Sequence, residues 1–507
     1  MKVADLLMLV LFLAGMAAMG IYFARKSSST ESYFLGNRSF PGWAVGLSML
    51  GTAISSVTFL AFPAAAYALD YRQLTPNLMM PPIAVLATWI IIPFFRRGHR
   101  TTAFEFLEER FGQSVRVYAA ASFIVASAIR LAIVLYLVAI PIAGMLGMKL
   151  IPIILIGGIV VAFYTAVGGI EAVIWTDVVQ TVILLLGGAL CVLFVALRLP
   201  EGLPDVFRIG AEYHKFSLGP LDFGFGERTL SLMVLLGLMS FIAEYTSNQN
   251  IVQRWLAAGS TREARKATLL CAFMSVPTWL LFYFLGTALF AFYHIFPGQL
   301  PEGTVPEGVL PHFITTQLPA GVGGIIIAAC LAAAMSTLSS SINGISSVAT
   351  VDFVRRFRPQ TGEAAAMNWA KAISWGTGAL MIAGAVAIDG IPRESIADFT
   401  LIVGSIFGGG MLAIYLLGLF VPRVGNFALW TGLAAGLLFN LYMGLNTLGA
   451  LPECVRLVIH PYWTTILVNG IVLVLALAAS LKRRKQPEGF EHEQTHSPEP
   501  LPLPDRE

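Results

Sequence analysis

The chain has 507 residues, of which 57% are hydrophobic and only 12% charged, with a formal net charge of +3. Soluble globular domains carry about 25% charged residues, so this composition excludes a water-soluble fold and defines a polytopic helical membrane protein with no nucleic-acid partner. The four cysteines, Cys191, Cys271, Cys330 and Cys454, show no CxxC spacing, which indicates neither a disulfide framework nor a zinc site.

Apolar runs of about 20 residues, enough to cross roughly 30 Å of hydrocarbon, recur along nearly the whole length. Thirteen spans are predicted: 5–24, 42–69, 76–95, 117–145, 149–166, 173–197, 229–250, 267–293, 321–350, 369–388, 398–421, 426–448 and 462–481. With the N-terminus outside, the inner loops and tail collect 22 Lys and Arg against 9 on the outer side, as the positive-inside rule requires. The first span has a long apolar core, and its positive charges, Arg25 and Lys26, follow it. It is expected to be a retained anchor and not a cleaved signal.

Between the first two spans, ESYFLGNRSFPGW reads as an inner-face connector punctuated by Gly36, Pro41 and Gly42. The second span carries GLSMLGTAISSVTFLAFPAAAYAL, where Gly51, Ser55, Ser56, Thr58 and Pro63 interrupt the apolar run. This predicts either a helix broken near the bilayer midplane or a proline kink whose serines bond to neighbouring helices. The charged inner loop at 94–116 is expected to lie as an amphipathic helix along the interface. Arg130 then falls two to three turns into the fourth span. An arginine at that depth costs several kcal/mol unless it faces a wet cavity or a partner, or snorkels to the surface.

In YTAVGGIEAVIWTDVVQ, Gly168 and Gly169 are expected to make the turn and Asp177 lies about one turn inside the sixth span. Asp177 either caps a helix start or is a functional acid, and Glu171 and Thr176 are better placed to cap. The polar run at 244–250 cuts the seventh span and predicts a second discontinuous helix. Glu244 is a second intramembrane acid, or a group solvated at the inner interface.

The ninth span contains AAAMSTLSSSINGISS, residues 332–347. At 3.6 residues per turn, Ser336, Ser340, Asn343 and Ser347 stack along one side, with Thr337 and Ser339 beside them. An unpaired hydroxyl in hydrocarbon costs roughly 1 to 3 kcal/mol, so this side must meet something polar. It bonds either to carbonyls and neighbouring helices or to a small hard cation, which prefers oxygen over nitrogen and sulfur. Farther on, GSIFGGGML at 404–412 predicts close packing or flexing, and the tail at 482–507 reads as a disordered cytoplasmic end.

SYFLGNRSFPGW, YTAVGGIEAVIWTDVVQ, NQNIVQRW and AAAMSTLSSSINGISS, in this order, resemble the sodium:solute symporter family over about residues 30–425. SSVTFLAFPAAAY, the Arg130 context and the serine-rich stripe are most similar to its bacterial sodium/sialic acid symporters. The resemblance implies an all-α membrane protein of LeuT type, one transmembrane domain over 1–481. Its ten core helices would form two inverted repeats, at about 42–197 and 229–421, with one helix before and two after. The two interrupted spans, five positions apart, fit such an inversion.

By the same resemblance, a general sodium site would use carbonyls of Gly51, Ile54 and Ala333 with hydroxyls of Ser336 and Thr337. A second sodium site, found in part of the family, would use Asp177, Ser336, Ser339 and Ser340. An organic solute would lie at the midplane, lined by Ser55, Thr58, Asn77 and Arg130, with Gln73 and Glu244 nearby. Arg130 could fork onto a carboxylate, which favours an acidic solute. The resemblance implies a carboxylate-bearing sugar such as sialic acid, with a neutral sugar or a monocarboxylate as the alternative. The chain departs from the sialic acid transporters at Gln73 and Asn77, where they carry an aromatic residue and a glutamine. The implied activity is sodium-driven symport by alternating access, in a bacterial inner membrane, by a monomer with a cytoplasmic C-terminus. An intramembrane enzyme would need a nucleophile and base, or a metal cluster, facing one cavity. No histidine falls in the middle of a span, and Asp177 and Glu244 lack partner motifs. A channel would need repeated filter loops, and the sequence shows none.

Overall fold

Hydrocarbon offers no hydrogen-bond partners, and a helix satisfies its backbone within one segment. The computed structural model follows that rule over the residues it describes: 3–25, 29–98, 100–220, 229–390, 409–447, 449–457, 459 and 463–483. Among these, nine helices are long and apolar enough to cross a membrane, or ten if the bent pair Gly42–Ala53 and Thr58–Ala68 counts as one span. The elements that build the site are α1 (Val3–Ala24), α2 (Gly42–Ala53), α3 (Ser56–Ala68), α4 (Gln113–Leu146), α5 (Leu150–Arg198), α6 (Leu230–Ser247), α7 (Gln249–Ala257), α8 (Thr261–Ile295) and α9 (Val322–Val348).

This count differs from the thirteen predicted spans where backbone breaks intervene. The fifth and sixth spans are two helices that meet at a non-helical Gly169, grouped here as α5, and the chain folds back between them, so that Gln180 Nε2 donates to Tyr164 OH at 3.4 Å. The third is divided among a 3-10 segment, Arg72–Met79, and short helices Met80–Trp89 and Ile91–Arg96. Of the eleventh, only the part from 409 lies among the described residues, as helix Met411–Phe420. Most of the 404–412 glycine cluster is likewise outside them, and so is the tail beyond 483. Within 94–116, between the end of the Ile91–Arg96 helix and the start of α4, the described residues form a seven-residue helix, Glu105–Phe111, with Phe106, Leu107 and Phe111 buried.

The Gly169 break follows from a close approach. Its φ of 60° and ψ of −154° lie in a region open essentially to glycine. A Cβ there would sit 2.7 Å from both the Tyr33 ring and the Tyr33 carbonyl oxygen. Interrupting the helix frees carbonyls upstream, and the buried Tyr33 hydroxyl donates to that of Ala166 at 2.9 Å. We expect Gly169→Ala to lower stability by about 1 to 3 kcal/mol from backbone strain alone. Gly15→Ala, whose methyl would meet nothing within 4 Å, is the neutral control. Melting temperatures in detergent check this, and equal values for the two variants would remove the argument.

Helix α9 is the centre of the bundle. In its most apolar stretch 89% of residues are buried inside the protein, against 28% for α1, so its hydroxyl side faces other helices and not lipid. Asp5 of α1 fixes its start by accepting hydrogen bonds from the amides of Gly321 and Gly324 at 2.8 and 2.9 Å. These are donors at a helix N-terminus that would otherwise have no acceptor. At its other end α9 continues through a π-helical segment, Ala349–Arg355. There the buried Asp352 accepts from Arg116 Nε at 2.6 Å and Thr102 Oγ1 at 3.0 Å. Arg116 and Arg356 both bond to Glu108, each at 2.6 Å. This ionic knot ties the start of α4 and the short Glu105–Phe111 helix to the end of α9.

Candidate functional site

The second span is broken as one of the two sequence readings predicts. Helix α2 ends at Ala53, Ile54 and Ser55 are extended (ψ 89° and 177°), and α3 leaves at an angle of 52°. The last carbonyls of α2 therefore lack their helical amide partners. Gly51 lets this end meet the hydroxyl stripe, since a Cβ there would lie 2.3 Å from Thr181 Oγ1, 3.1 Å from Ser336 Oγ and 3.4 Å from the Asp177 carbonyl oxygen. Thr337 Oγ1 lies 3.4 Å from the Thr52 carbonyl oxygen and 3.5 Å from that of Ala333. Gly51, Ala333, Ser336 and Thr337 are thus gathered at one junction, where Ile54 is fully buried.

The seventh span is also discontinuous, but its break falls at Asn248 (φ −84°, ψ 111°), between α6 and α7. Helix α7 runs past residue 250, the predicted end of the span, and places Arg254 at 1% exposure beside Asp177. Arg254 Nη2 donates to Asp177 Oδ2 at 2.8 Å, Thr52 Oγ1 at 2.9 Å and Ser340 Oγ at 2.5 Å. Its Nε donates to Ser48 Oγ at 2.9 Å and its Nη1 to the Asn250 carbonyl at 2.9 Å. Ser48 in turn donates to Asp177 Oδ2 at 2.6 Å. Asp177 Oδ1, equally buried, receives no hydrogen bond among the described residues.

The stripe bonds to carbonyls of its own helix and to a neighbouring helix, the first of its two readings. Ser340 and Ser339 donate to the Ser336 carbonyl at 2.7 and 3.2 Å. With their protons directed back along the helix, their oxygens keep lone pairs for a cation. Thr52 Oγ1 lies 3.1 Å from Ser340 Oγ and 3.5 Å from Ser336 Oγ, so α2 and α9 face each other through oxygens. Beyond the cage, Asn343 accepts from Gln253 at 2.7 Å. No group of three or more His, Cys, Asp or Glu that could hold a metal occurs among the described residues. The donor set of carbonyls, alcohols and one carboxylate suits an alkali cation, not zinc or a redox metal.

The sequence profile of the sodium:solute symporter family matches residues 33–436. The chain belongs to that family. It is a sodium-coupled symporter working by alternating access, and not an enzyme. The sodium/sialic acid symporter NanT of Aliivibrio fischeri is 31% identical over 84% of this chain and 85% of its own. SiaT of Proteus mirabilis, also a sodium/sialic acid symporter, is 32% identical over 81% and 84%. A solved substrate-bound, outward-open sodium-coupled sialic acid symporter superposes with a TM-score of 0.86 at 28% identity, covering 95% of this chain and 98% of that one. The fold of such neighbours is the LeuT-like transporter fold, as the resemblance implied.

The six residues expected to line a solute are less tightly assembled than those expected to hold sodium. Thr58 is buried on α3, Ser55 lies half-buried at the break, and Gln73 and Asn77 are half-buried in the 3-10 segment. Arg130 is exposed on α4 and takes no ion pair among the described residues. Glu244 is half-buried and accepts from Asn248 Nδ2 at 2.7 Å. No side-chain hydrogen bond joins any two of these six among the described residues. Sequence reasoning missed Ser48, Thr52, Thr181 and above all Arg254. The available signal was electrostatic: Asp177 within a span needs a positive partner, and Arg254 stands four residues past a polar helix break.

Proposed function

We propose that this symporter imports a carboxylate-bearing sugar of the sialic acid type, with the sodium gradient driving each inward passage. The observation that supports this reading is the junction of the broken α2 with the oxygen side of α9, lined by the residues that the resemblance assigns to sodium. The general site comprises Gly51, Ile54, Ala333, Ser336 and Thr337. The second comprises Asp177, Ser336, Ser339 and Ser340. A cage without formal charge binds sodium weakly enough to release it into a low-sodium cytoplasm, and the carboxylate of Asp177 supplies the second ion with its counter-charge. Each sodium moving inward at 100 mV contributes about 2.3 kcal/mol, so two ions support strong accumulation.

The solute follows from two supports. Relatives of similar length are named for sialic acid, and Arg130 offers a fork to a carboxylate from an exposed position on α4. Ser55, Thr58, Gln73, Asn77 and Glu244 complete the lining. The domain spans 1–481 with thirteen helices, counting α5 as two and adding the interrupted third and eleventh spans. The N-terminus is outside, the C-terminus is cytoplasmic in a bacterial inner membrane, and a monomer suffices.

Uptake of radiolabelled sialic acid into proteoliposomes tests this. It is expected to saturate with solute, to require an inward sodium gradient and to stop when potassium replaces sodium. Sodium-dependent uptake of radiolabelled glucose or propionate, with none of sialic acid, would instead assign a neutral sugar or a monocarboxylate.

A further inference from the structure

We infer that Arg254 is a tethered cation that competes with the second sodium ion for the Asp177 cage, so that this site alternates between guanidinium and sodium. The inference rests on the second-site reading above and adds the group that the ion must displace.

The geometry around Nη2 is the starting point. A terminal guanidinium nitrogen carries two hydrogens and can make two linear hydrogen bonds. Here three oxygens, from Asp177, Thr52 and Ser340, converge on it at 2.5 to 2.9 Å. Oxygens crowded round one point suit a spherical ion better than a planar donor. Ser336 Oγ, 3.5 Å from Thr52 Oγ1, stands at the edge of the same group. The buried Asp177 Oδ1, with no donor among the described residues, leaves carboxylate capacity that Arg254 does not use.

Charge supplies the second step. Asp177 and Arg254 are 0% and 1% exposed and neutralise each other. A sodium ion entering beside a resident guanidinium would leave the buried cage with a net positive charge, which low dielectric penalises heavily. Sodium therefore binds there as Arg254 withdraws. When sodium leaves, Arg254 returns, and the carboxylate is never left bare. Arg254 sits on α7, whose Gln249 accepts from the Ala103 amide at 2.8 Å and whose Gln253 donates to the Phe34 carbonyl at 2.8 Å. Withdrawal of the guanidinium thus bears on a half-helix packed against the connectors.

The test uses purified full-length protein, with sodium chloride titrated against potassium chloride at constant ionic strength and melting temperature as the readout. Arg254→Gln is expected to lower the sodium concentration at half-maximal stabilisation of the Asp177-dependent step by about tenfold, within the usual range of coupling between two linked sites. Arg254→Lys, which keeps a charge but not the fork, should lower it less. In the Asp177→Asn background, Arg254→Gln should leave the sodium half-point where it is, whatever it does to the melting temperature itself. A merely structural arginine would lower the melting temperature equally in sodium and potassium without shifting the half-point. A half-point unchanged or raised in Arg254→Gln, beside a normal wild-type sodium response, overturns the competition alone. If Arg254→Gln does not fold, an unchanged half-point in Arg254→Lys has the same force. A wild type that sodium stabilises no more than potassium sinks the symport reading itself, and this inference with it.

Discussion

Asp177→Asn is expected to cost about 3 to 5 kcal/mol of stability, the usual penalty for removing one partner of a buried ion pair, and to raise the sodium concentration needed for uptake. The carboxylate is the only formal counter-charge bonded to Arg254 among the described residues. Its loss leaves a guanidinium at 1% exposure facing only alcohols and a carbonyl. Asparagine is nearly isosteric, so packing is preserved and the effect reports charge. The cation site suffers twice, losing its attractive acid while keeping a resident positive group. Adding Arg254→Gln to Asp177→Asn should restore much of the stability, since replacing both members of a buried pair is far milder than removing one. It should not restore the sodium response. Thermal melts in detergent and sodium-dependent uptake measure the two effects, and wild-type behaviour in both would dismiss Asp177 as a sodium ligand.

Arg130→Lys should weaken solute binding by about 1.5 to 3 kcal/mol, at least about tenfold in KM, because it removes one hydrogen bond to a charged group. Lysine keeps the charge but presents a point donor where a carboxylate takes two parallel bonds. Arg130→Ala should weaken it further. Sodium stabilisation without solute should stay at its wild-type half-point in both variants, because Arg130 makes no contact with the cage residues among the described hydrogen bonds. A KM left within twofold would mean that Arg130 only reaches toward the membrane surface, the snorkelling alternative, and the acidic solute would lose its anchor.

The class, the two discontinuous helices and the oxygen-lined face of α9 were legible because they are local patterns. Apolar length, glycine and serine clustering and a 3.6-residue period are written within one stretch of chain. The gathering of Gly51, Ser336 and Thr337 was legible only through the resemblance. Arg254 was not legible, because its partner lies 77 residues away. Hydropathy also ended the seventh span at 250, before the arginine that completes it. The fifth and sixth spans were legible for the same local reason: the sequence places a turn at Gly168 and Gly169, and two helices meet at Gly169, where the chain folds back and brings Gln180 to Tyr164. The Tyr33 ring that leaves no room for a side chain at Gly169 lies 136 residues away, a contact that no window could contain.

The knot of Arg116, Asp352, Glu108 and Arg356 bears on the tempo of the transporter. A carrier that exposes its cargo first to one compartment and then to the other must separate the elements at one end of the bundle on every cycle. The start of α4, the Glu105–Phe111 helix and the end of α9 are joined by three ion pairs of 2.6 Å sharing two carboxylates. Freeing Glu108 strips both arginines of a partner together, so any motion that parts these elements has to break the pairs jointly. None of the four side chains is among those assigned to sodium or solute.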